Sequence, residues 1–295
     1  MPTNRTIKHI ISQAPKATSL AAHIRSKHPY SMLSDEEIYF LDALNWSYTK
    51  PCRAAELGCY IGGTTSMFGD GLPDGSLIEV YDLFEHNDAS RKRLKDDKDY
   101  EYGSFYKIWS RNTSIYSKKI DLLSGDLQDT CLRRSEPLDI LYVDIVKHHC
   151  LVNPMVHFYD RLNLEGILIH QDYFHWQSPW LVYQMEALLG CFELLGDVGF
   201  NMTVYRKTKE LQENDRVDFL SMDREDIFSL FDRAIARYTH SKRGMLRVSK
   251  LRLAMEWRPE IVASITDSII AEHSESPRVM RYLKELQSHD LTHMW

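Results

Sequence analysis

The sequence predicts an α/β protein in which a mostly parallel seven-stranded sheet is followed by an all-helical extension. Two observations predict it. Short apolar segments alternate with helical patterns between residues 53 and 206, which is typical of a sheet covered by helices on both faces. Beyond residue 206 this rhythm ends, and amphipathic helical periodicity replaces it. We therefore divide the chain into an arm at 1–34, a sheet domain at 35–206, and a linker with a helical extension at 207–295.

Composition and charge are those of an ordinary globular protein. The 295 residues are 43% hydrophobic and 26% charged, with a formal net charge of −6. This acidic balance disfavours a nucleic-acid partner, because nucleic-acid binding usually requires a basic excess. The five cysteines lack CxxC spacing, so neither a disulfide framework nor a structural zinc site is expected. Without a signal peptide or a long apolar stretch, we expect a cytoplasmic protein that does not contact a membrane.

The first element of the sheet domain is a helix that follows the arm. Ser34 and Glu37 have the spacing of a capping box, which predicts that a helix begins at this point. Apolar residues follow at near-helical spacing, namely Ile38, Leu41, Leu44 and Trp46.

Seven segments are predicted to be strands. They are short and apolar, and glycines or polar turns bound them. The predicted strands are 54–57, 77–82, 121–124, 138–144, 166–170, 192–195 and 202–205. The last two flank Gly199 and predict a closing antiparallel pair, whereas the helical segments between the others predict parallel neighbours.

A glycine turn and an acid mark the most informative part of the chain. Gly58 and Gly62 lie where the first strand should turn into a helix, and Asp82 ends the second strand. Glycines there adopt positive φ and admit a ligand closely, and an acid at the next strand end can bind ribose hydroxyls. The spacing is neither the GxGxxG of a nicotinamide site nor a P-loop. The alternative is a tight turn with an unrelated aspartate. Thr64 and Thr65 are candidate caps of the next helix.

This stretch resembles motif I of the class I S-adenosylmethionine-dependent methyltransferases, and most closely the macrocin O-methyltransferase-like families. Further similar segments are 82–84, 139–144 and 163–173, and the resemblance covers residues 35–206. It implies a Rossmann-like fold with S-adenosylmethionine as the cofactor. It also implies a set of cofactor-binding residues, namely Glu56, Gly58, Tyr60, Gly62, Thr64, Asp82 and Asp126.

The fourth and fifth predicted strands end in groups suited to acceptor chemistry. Ligands of a doubly wound sheet lie beyond the carboxyl ends of its strands, so these groups should share one edge. They are Asp144, Lys147, His148, His149, His170, Asp172 and His175. Methyl transfer requires alignment of the nucleophile and removal of its proton. His148 is the expected base because histidine titrates near neutral pH. Lys147 is an alternative whose pKa burial would have to lower.

Asp144 and Asp172 are also candidate ligands of a magnesium ion, together with Gln171 and water. Related sugar O-methyltransferases often bind magnesium through acids at these strand ends. This sequence departs from that pattern, since Val146 stands where a second acid would follow and Gln171 precedes Asp172 in place of an acid. Metal-dependent and metal-free chemistry both stay open. The two aspartates have a further alternative as caps of backbone amides.

The expected activity is O-methylation of a hydroxyl on a sugar or glycosylated small molecule. The Asn/Asp-Pro-Pro motif of many methyltransferases that act on exocyclic amines is missing, which disfavours a nucleobase acceptor. The alternative of a different class is a vestigial S-adenosylmethionine-binding module that acts through its helical tail as a protein-interaction unit.

The tail is predicted to contain four amphipathic helices, at 223–238, 242–257, 259–272 and 277–288. Basic residues dominate its first half, namely Arg237, Lys242, Arg243, Arg247, Lys250, Arg252 and Arg258. They predict either a docking face for an acidic partner or a solvated helix face. Stacked helices of this kind also make a homo-oligomer plausible.

Overall fold

The structure is a computed structural model that describes residues 1–85, 88–145 and 149–288. Lys147 and His148, two of the predicted catalytic residues, lie outside the described residues.

A seven-stranded sheet forms the centre of the molecule. Its strands are β1 (Arg53–Leu57), β2 (Leu77–Asp82), β3 (Ile120–Ser124), β4 (Leu138–Val143), β5 (Leu162–His170), β6 (Phe192–Val198) and β7 (Met202–Lys207). The strand order is β3-β2-β1-β4-β5-β7-β6. Strands β1 to β5 pair in parallel, and β7 runs antiparallel to both β5 and β6. The predicted Rossmann-like sheet and its closing antiparallel pair are confirmed.

Helices cover both faces of the sheet and continue beyond it. Those before β6 are α1 (Asn4–Gln13), α2 (Thr18–Lys27), α3 (Asp35–Trp46), α4 (Gly63–Gly71), α5 (Asp88–Leu94), α6 (Tyr106–Thr113), α7 (Leu127–Thr130), α8 (Val152–Arg161) and α9 (Pro179–Ala187). Those after β7 are α10 (Arg224–Arg237), α11 (His240–Trp257), α12 (Val262–His273) and α13 (Pro277–Ser288). The predicted C-terminal all-helical extension is confirmed, and residues 208–288 contain no strand.

The two faces of the sheet form separate hydrophobic cores. Successive side chains of a strand point to opposite faces, and β4 shows this directly. Ile140 and Tyr142 pack with the core that includes α1 to α4 and α6. Leu141 and Val143 pack with the core that includes α8 to α11 and α13. The helical extension therefore completes one of the two cores that enclose the sheet.

The N-terminal arm is part of the folded body. Ile7, Ile10 and Ile24 of its two helices are buried in the first core. The Lys8 Nζ also donates to Glu193 Oε1 of β6 at 2.9 Å. The helices of the arm thus cover the end of the sheet where the antiparallel pair lies.

The segment predicted to be a linker is anchored at its start. Lys207 ends β7, and its buried Nζ donates to the carbonyl oxygens of Asp160 at 3.0 Å and Leu162 at 2.7 Å. Leu211, four residues later, is buried in the second core. The chain therefore passes from the sheet to the helical extension through packed, hydrogen-bonded residues.

Most of the basic residues of the tail have acidic partners elsewhere in the chain, which their local sequence did not reveal. The pairs are Arg237 with Glu186, Lys242 with Asp197, Arg247 with Glu272, Lys250 with Asp232, and Arg258 with Glu225 and Glu260. Arg252 is buried, which lowers its pKa. Most of the positive charge of this segment is therefore balanced by acids of the same chain, and several of these ion pairs lie at the surface.

Two further features bear on the predictions from composition. All five cysteines are free thiols. Across the described ranges, no helix combines the length and the apolar character needed to cross a bilayer.

Candidate active site

The glycine turn connects β1 to α4 at the point where the strand order reverses. Gly58 and Gly62 have φ values of +84° and +89°, and Tyr60 between them is also left-handed at +47°. A Cβ on Gly58 would lie 2.4 Å from the carbonyl oxygen of Asp144. One on Gly62 would lie 2.6 Å from the Thr113 side chain. Both glycines are therefore required by close approach within the chain as well as by their backbone conformation.

Asp82 fastens this turn to the end of β2. Its Oδ2 accepts hydrogen bonds from the backbone amides of Cys59 at 2.8 Å and Tyr60 at 3.3 Å. Its Oδ1 accepts one from the Phe84 amide at 2.7 Å. Burial raises the pKa of Asp82, and the three amide donors oppose that effect. The acid predicted to bind ribose thus lies beside the turn, and it also sets the shape of the turn.

Glu56 is a fully buried acid at the end of β1. Its Oε2 accepts a hydrogen bond from Thr65 Oγ1 at 2.5 Å, and Trp109 Nε1 donates to the same hydroxyl at 3.3 Å. Its Oε1 has no hydrogen-bond partner among the described residues. Burial raises the pKa of Glu56 well above its usual range, and the nearby Asp144 and Asp82 add to the rise. The site therefore contains a buried carboxyl group whose charged form is disfavoured and whose Oε1 has no hydrogen-bond partner among the described residues.

The threonines of the turn do not cap α4, contrary to prediction. The N-cap is Gly62, and no side chain caps the helix. Thr65 turns its hydroxyl to Glu56, and Thr64 is buried. The helix begins at Gly63, so both threonines lie inside its first turn, whereas a capping side chain belongs to the residue that precedes the turn. The first amides of α4 are consequently left without a side-chain acceptor.

Asp126 lies after β3 and caps α7. Its Oδ1 accepts a hydrogen bond from the Gln128 amide at 2.8 Å. The amide of the preceding Gly125 donates to the carbonyl oxygen of Asp82 at 3.1 Å. The ends of β2 and β3 are thereby joined, which places Asp126 on the same edge as the glycine turn.

A cavity of about 300 Å³ opens beside the first turn of α4. Gly63 and Met67 of that helix form one wall, and Ile38 of α3 forms another. The remaining lining comes from the end of α2 and the segment after it, namely Ile24, Arg25, His28, Pro29, Tyr30 and Ser31. The cavity thus lies between the N-terminal helices and α4, and none of the predicted cofactor-binding residues lines it.

Asp144 follows β4 on the edge where β1 ends. Its amide donates to the Leu57 carbonyl oxygen at 2.8 Å, and its Oδ2 accepts a hydrogen bond from the Tyr142 hydroxyl at 3.2 Å. Burial raises the pKa of Tyr142 well above its usual range, and the charges of Asp144, Glu37 and Glu56 raise it further. Tyr142 therefore remains a proton donor that fixes the carboxylate of Asp144.

Glu37 is a site residue that the sequence analysis did not identify as one. The predicted capping box is confirmed, since the Ser34 amide donates to Glu37 Oε2 at 2.8 Å and the Ser34 hydroxyl accepts from the Glu37 amide. The Glu37 carboxylate is also buried, which raises its pKa, and the charge of Asp172 contributes to the rise. In the sequence, the capping box already accounts for an acid at position 37. No further pattern indicates that the Glu37 carboxylate is buried close to Asp172.

The described histidines of this edge, which were predicted to share it, have separate partners. His170 is fully buried within β5, where its Nε2 lies 3.1 Å from the Tyr159 hydroxyl. The His149 Nε2 lies 3.0 Å from the Tyr183 hydroxyl. The ring of His175 stacks on Trp176. Alternation along β5 turns His170 towards the second core, so only the loop residues remain at the edge.

Metal ligands were predicted at Asp144 and Asp172. Across the described ranges, no three His, Cys, Asp or Glu side chains are grouped so as to hold a metal ion. Asp172 has a left-handed backbone, with φ of +57°, and its Oδ1 accepts a hydrogen bond from Asn201 Nδ2 at 3.3 Å. Tyr142 therefore donates to one of the two aspartates and Asn201 to the other.

No protein-family profile and no curated protein matches the chain. Similar solved structures include the O-methyltransferase NovP, which is 17% identical over 54% of this chain and 73% of its own, with a TM-score of 0.43. An SAH-bound methyltransferase from Podospora anserina is 16% identical over 71% and 98%, with a TM-score of 0.47. An rRNA methylase from Streptococcus thermophilus is 13% identical over 61% and 100%, with a TM-score of 0.44. At these values the similarities fix neither acceptor nor chemistry, and the fold assignment rests on strand order and register.

Proposed function

We propose that this chain is an S-adenosylmethionine-dependent methyltransferase. The observation that carries the proposal is Glu56, a fully buried carboxylate with one oxygen unpartnered among the described residues. It lies two residues before Gly58, where the positive-φ turn begins, and Asp82 is close to it. An uncompensated buried carboxylate is costly, so a fold that retains one is suited to a ligand that brings positive charge or hydrogen-bond donors. S-adenosylmethionine brings a sulfonium, an ammonium and ribose hydroxyls.

The chemistry of the available donors fits this cofactor. Glu56 would accept hydrogen bonds from a cationic group, and the carboxylate of Asp82 would bind ribose hydroxyls while it holds the turn. The uncapped amides of the first turn of α4 would favour the cofactor's carboxylate. The cavity that Gly63 and Met67 border lies beside the same helix. Gly58, Tyr60, Gly62, Thr64 and Asp126 would complete the binding surface, as the resemblance implies.

When bound, S-adenosylmethionine supplies a methyl group on a sulfonium whose sulfur leaves as a neutral thioether. The residues of the chain have to bind and align the acceptor and take up its proton. Asp144, held by Tyr142, and Asp172, held by Asn201, are the described groups at the acceptor side. The proposed base is His148, with Lys147 as the alternative.

We further propose that the acceptor is a hydroxyl of a sugar or glycosylated small molecule, as the resemblance implies. Charge supports an uncharged or cationic acceptor, because Glu37, Asp144 and Asp172 place several carboxylates near the acceptor edge. Such a field repels polyanions. Magnesium bound by Asp144 and Asp172 would reduce this negative charge. The test of the acceptor therefore includes a comparison with and without a chelator.

The direct test is calorimetric titration of the protein with S-adenosylmethionine. Asp82→Ala should weaken binding by about 1–3 kcal/mol, roughly 5- to 150-fold, the scale of hydrogen bonds to a charged group. Asp121→Ala is the matched control, because Asp121 is a β3 acid whose partner is Arg134, outside the glycine turn. Unchanged affinity in folded Asp82→Ala, or equal losses in both variants, would contradict the assignment. Absence of binding to the wild type would favour the vestigial-module alternative.

The acceptor is tested by transfer of a radiolabelled methyl group to a panel of glycosides and their aglycones. We expect label on glycosides, with activity lost in His148→Ala. If magnesium takes part, chelation removes activity and magnesium restores it; if activity survives chelation, the metal is excluded from the mechanism. Label found only on nucleic acid or protein would overturn the proposed acceptor class and leave the cofactor assignment standing.

A further inference from the structure

The turn after β5 carries Asp172 in a strained conformation that a distant hairpin maintains. Asp172 is left-handed, which is uncommon for a residue other than glycine. The amide of the next residue, Tyr173, donates to the Asn201 carbonyl oxygen at 2.8 Å. The side chain of Asn201 donates to Asp172 Oδ1 at 3.3 Å. One residue of the β6–β7 hairpin therefore holds both the backbone and the carboxylate of this turn.

Asn201 is in turn oriented by the C-terminal helix. The Tyr282 hydroxyl of α13 donates to Asn201 Oδ1 at 3.2 Å. Because that oxygen is fixed by a donor, the amide NH₂ of Asn201 is left to point at Asp172. The order of contacts is thus Tyr282, Asn201, Asp172, and it joins the helical extension to the acceptor edge.

A second contact supports the same turn from α13. The ring of Tyr282 lies 4.7 Å from that of His175, measured between ring centroids. Trp176 Nε1 donates to Glu285 Oε2 at 3.4 Å. The helix therefore contacts the turn at two successive residues in addition to Asn201.

The helix itself is fixed firmly enough to act as a support. Tyr282 is buried, and apolar residues on both sides of it are also buried in the second core, namely Val279, Leu283 and Leu286. The buried Glu37 of α3 is also close enough to Asp172 for the charge of Asp172 to raise its pKa. Asp172 is therefore near a helix that precedes the sheet as well as being linked through Asn201 to a helix at the far end of the chain.

We propose that Tyr282 is a positioning residue for the acceptor side, which acts by orienting Asn201 towards the carboxylate of Asp172. The inference rests on the proposed function for its catalytic meaning, but the contacts that carry it do not depend on that function. It assigns to the helical extension a role in the geometry of the site, since functional groups need support from residues that are themselves locked by packing.

The test compares Tyr282→Phe with the matched control Tyr238→Phe. Each substitution removes one hydroxyl from a tyrosine of the helical extension, and Tyr238 bonds Asp197 at 3.5 Å, outside the Asp172 network. The first readout is the ¹³Cγ resonance of Asp172 in protein labelled at aspartate, assigned by its loss in Asp172→Asn. We expect it to move in Tyr282→Phe and to stay in place in Tyr238→Phe. An equal response to both variants, or an unmoved resonance in Tyr282→Phe, would overturn the proposal.

The second readout is steady-state methyl transfer to an acceptor identified in the panel of glycosides and aglycones. Tyr282→Phe should lower kcat roughly 10- to 100-fold, the scale of a misplaced catalytic group, with the cofactor Kd unchanged. Full activity in Tyr282→Phe would overturn the positioning role even if the resonance moved. Failure of the wild type to bind S-adenosylmethionine would remove the proposed function, whereas the resonance would still decide whether Tyr282 orients Asp172.

Discussion

Replacing Glu56 with glutamine should stabilise the fold and weaken the cofactor site at the same time. The substitution keeps the shape of the side chain and removes its charge. Glu56 is fully buried and accepts one hydrogen bond, from Thr65 at 2.5 Å, and its other oxygen is unpartnered among the described residues. The amide still leaves a polar atom at this position, so the difference between the two side chains is the extra cost of burying an unpaired charge, which is about 1–3 kcal/mol. We expect a gain of that order in the free energy of unfolding at neutral pH, or roughly 2–4 °C in Tm per kcal/mol.

The dependence on pH identifies the charge as the cause. Burial raises the pKa of Glu56 above that of the unfolded chain, so the folded state binds the proton more tightly. The stability contributed by that proton is fully present below the unfolded pKa and is lost as pH rises through the folded pKa. Glu56→Gln should therefore exceed the wild type in stability at neutral pH, and the difference should shrink as the solution is acidified.

The assay combines calorimetric melting across this pH range with titration of S-adenosylmethionine. Glu79→Gln is the matched control, because Glu79 is an equally buried strand acid whose oxygens both accept from Arg161 at 2.8 Å. Loss of its charge should destabilise the fold, which is the opposite sign. The reasoning is refuted if Glu56→Gln melts below the wild type at neutral pH, or if it binds the cofactor with unchanged affinity.

Two further predictions concern the framework of the site. Gly58→Ala places a Cβ 2.4 Å from the Asp144 carbonyl oxygen at a φ of +84°, so it should lose about 1–3 kcal/mol of stability and also lose cofactor binding. Gly103→Ala, at φ +94° with nothing within 4 Å, isolates the backbone strain, and equal effects on melting would exclude the contact as the cause. Arg161→Met leaves the buried Glu79 with Arg53 as its cationic partner and a hydrogen bond from the Tyr81 hydroxyl, and it should cost about 3–5 kcal/mol in urea unfolding. If the free energy of unfolding falls by no more than about 1 kcal/mol, the scale of an exposed ion pair, Arg53 alone is enough to compensate the charge of Glu79.

The strands were predictable because buried parallel strands appear as apolar runs, but their ends were less so. Strand β5 was predicted to begin at residue 166, yet it begins at Leu162. Polar Asn163 and the left-handed Glu165 interrupt the apolar pattern, and the register with β4 shifts nearby. A strand that tolerates such an irregularity is defined by pairing with its neighbour rather than by its own composition.

The positions of the main site residues were predictable, and their partners were not. Strand ends placed Asp82, Asp144 and Asp172 on one edge. Asn201 and Tyr282 enter through tertiary contacts 29 and 81 residues apart in sequence, which no local pattern encodes. The same applies to the tail, whose cations find acids in other elements. The sequence predicts that Gly58 admits a ligand closely. In the structure, the atoms nearest to a Cβ added at Gly58 belong to the backbone of Asp144 and Ile145.

The central claim is most directly tested by titrating the wild-type protein with S-adenosylmethionine at neutral pH, with Glu56→Gln measured alongside. Saturable one-site binding to the wild type is expected, and removal of the Glu56 charge should weaken it by roughly 10- to 150-fold, since a hydrogen bond to a charged group contributes about 1.5–3 kcal/mol. No detectable binding to a folded wild-type protein would contradict the assignment of this edge as a cofactor site. Equal affinity of the two proteins for S-adenosylmethionine would show that the Glu56 carboxylate does not contribute to cofactor binding.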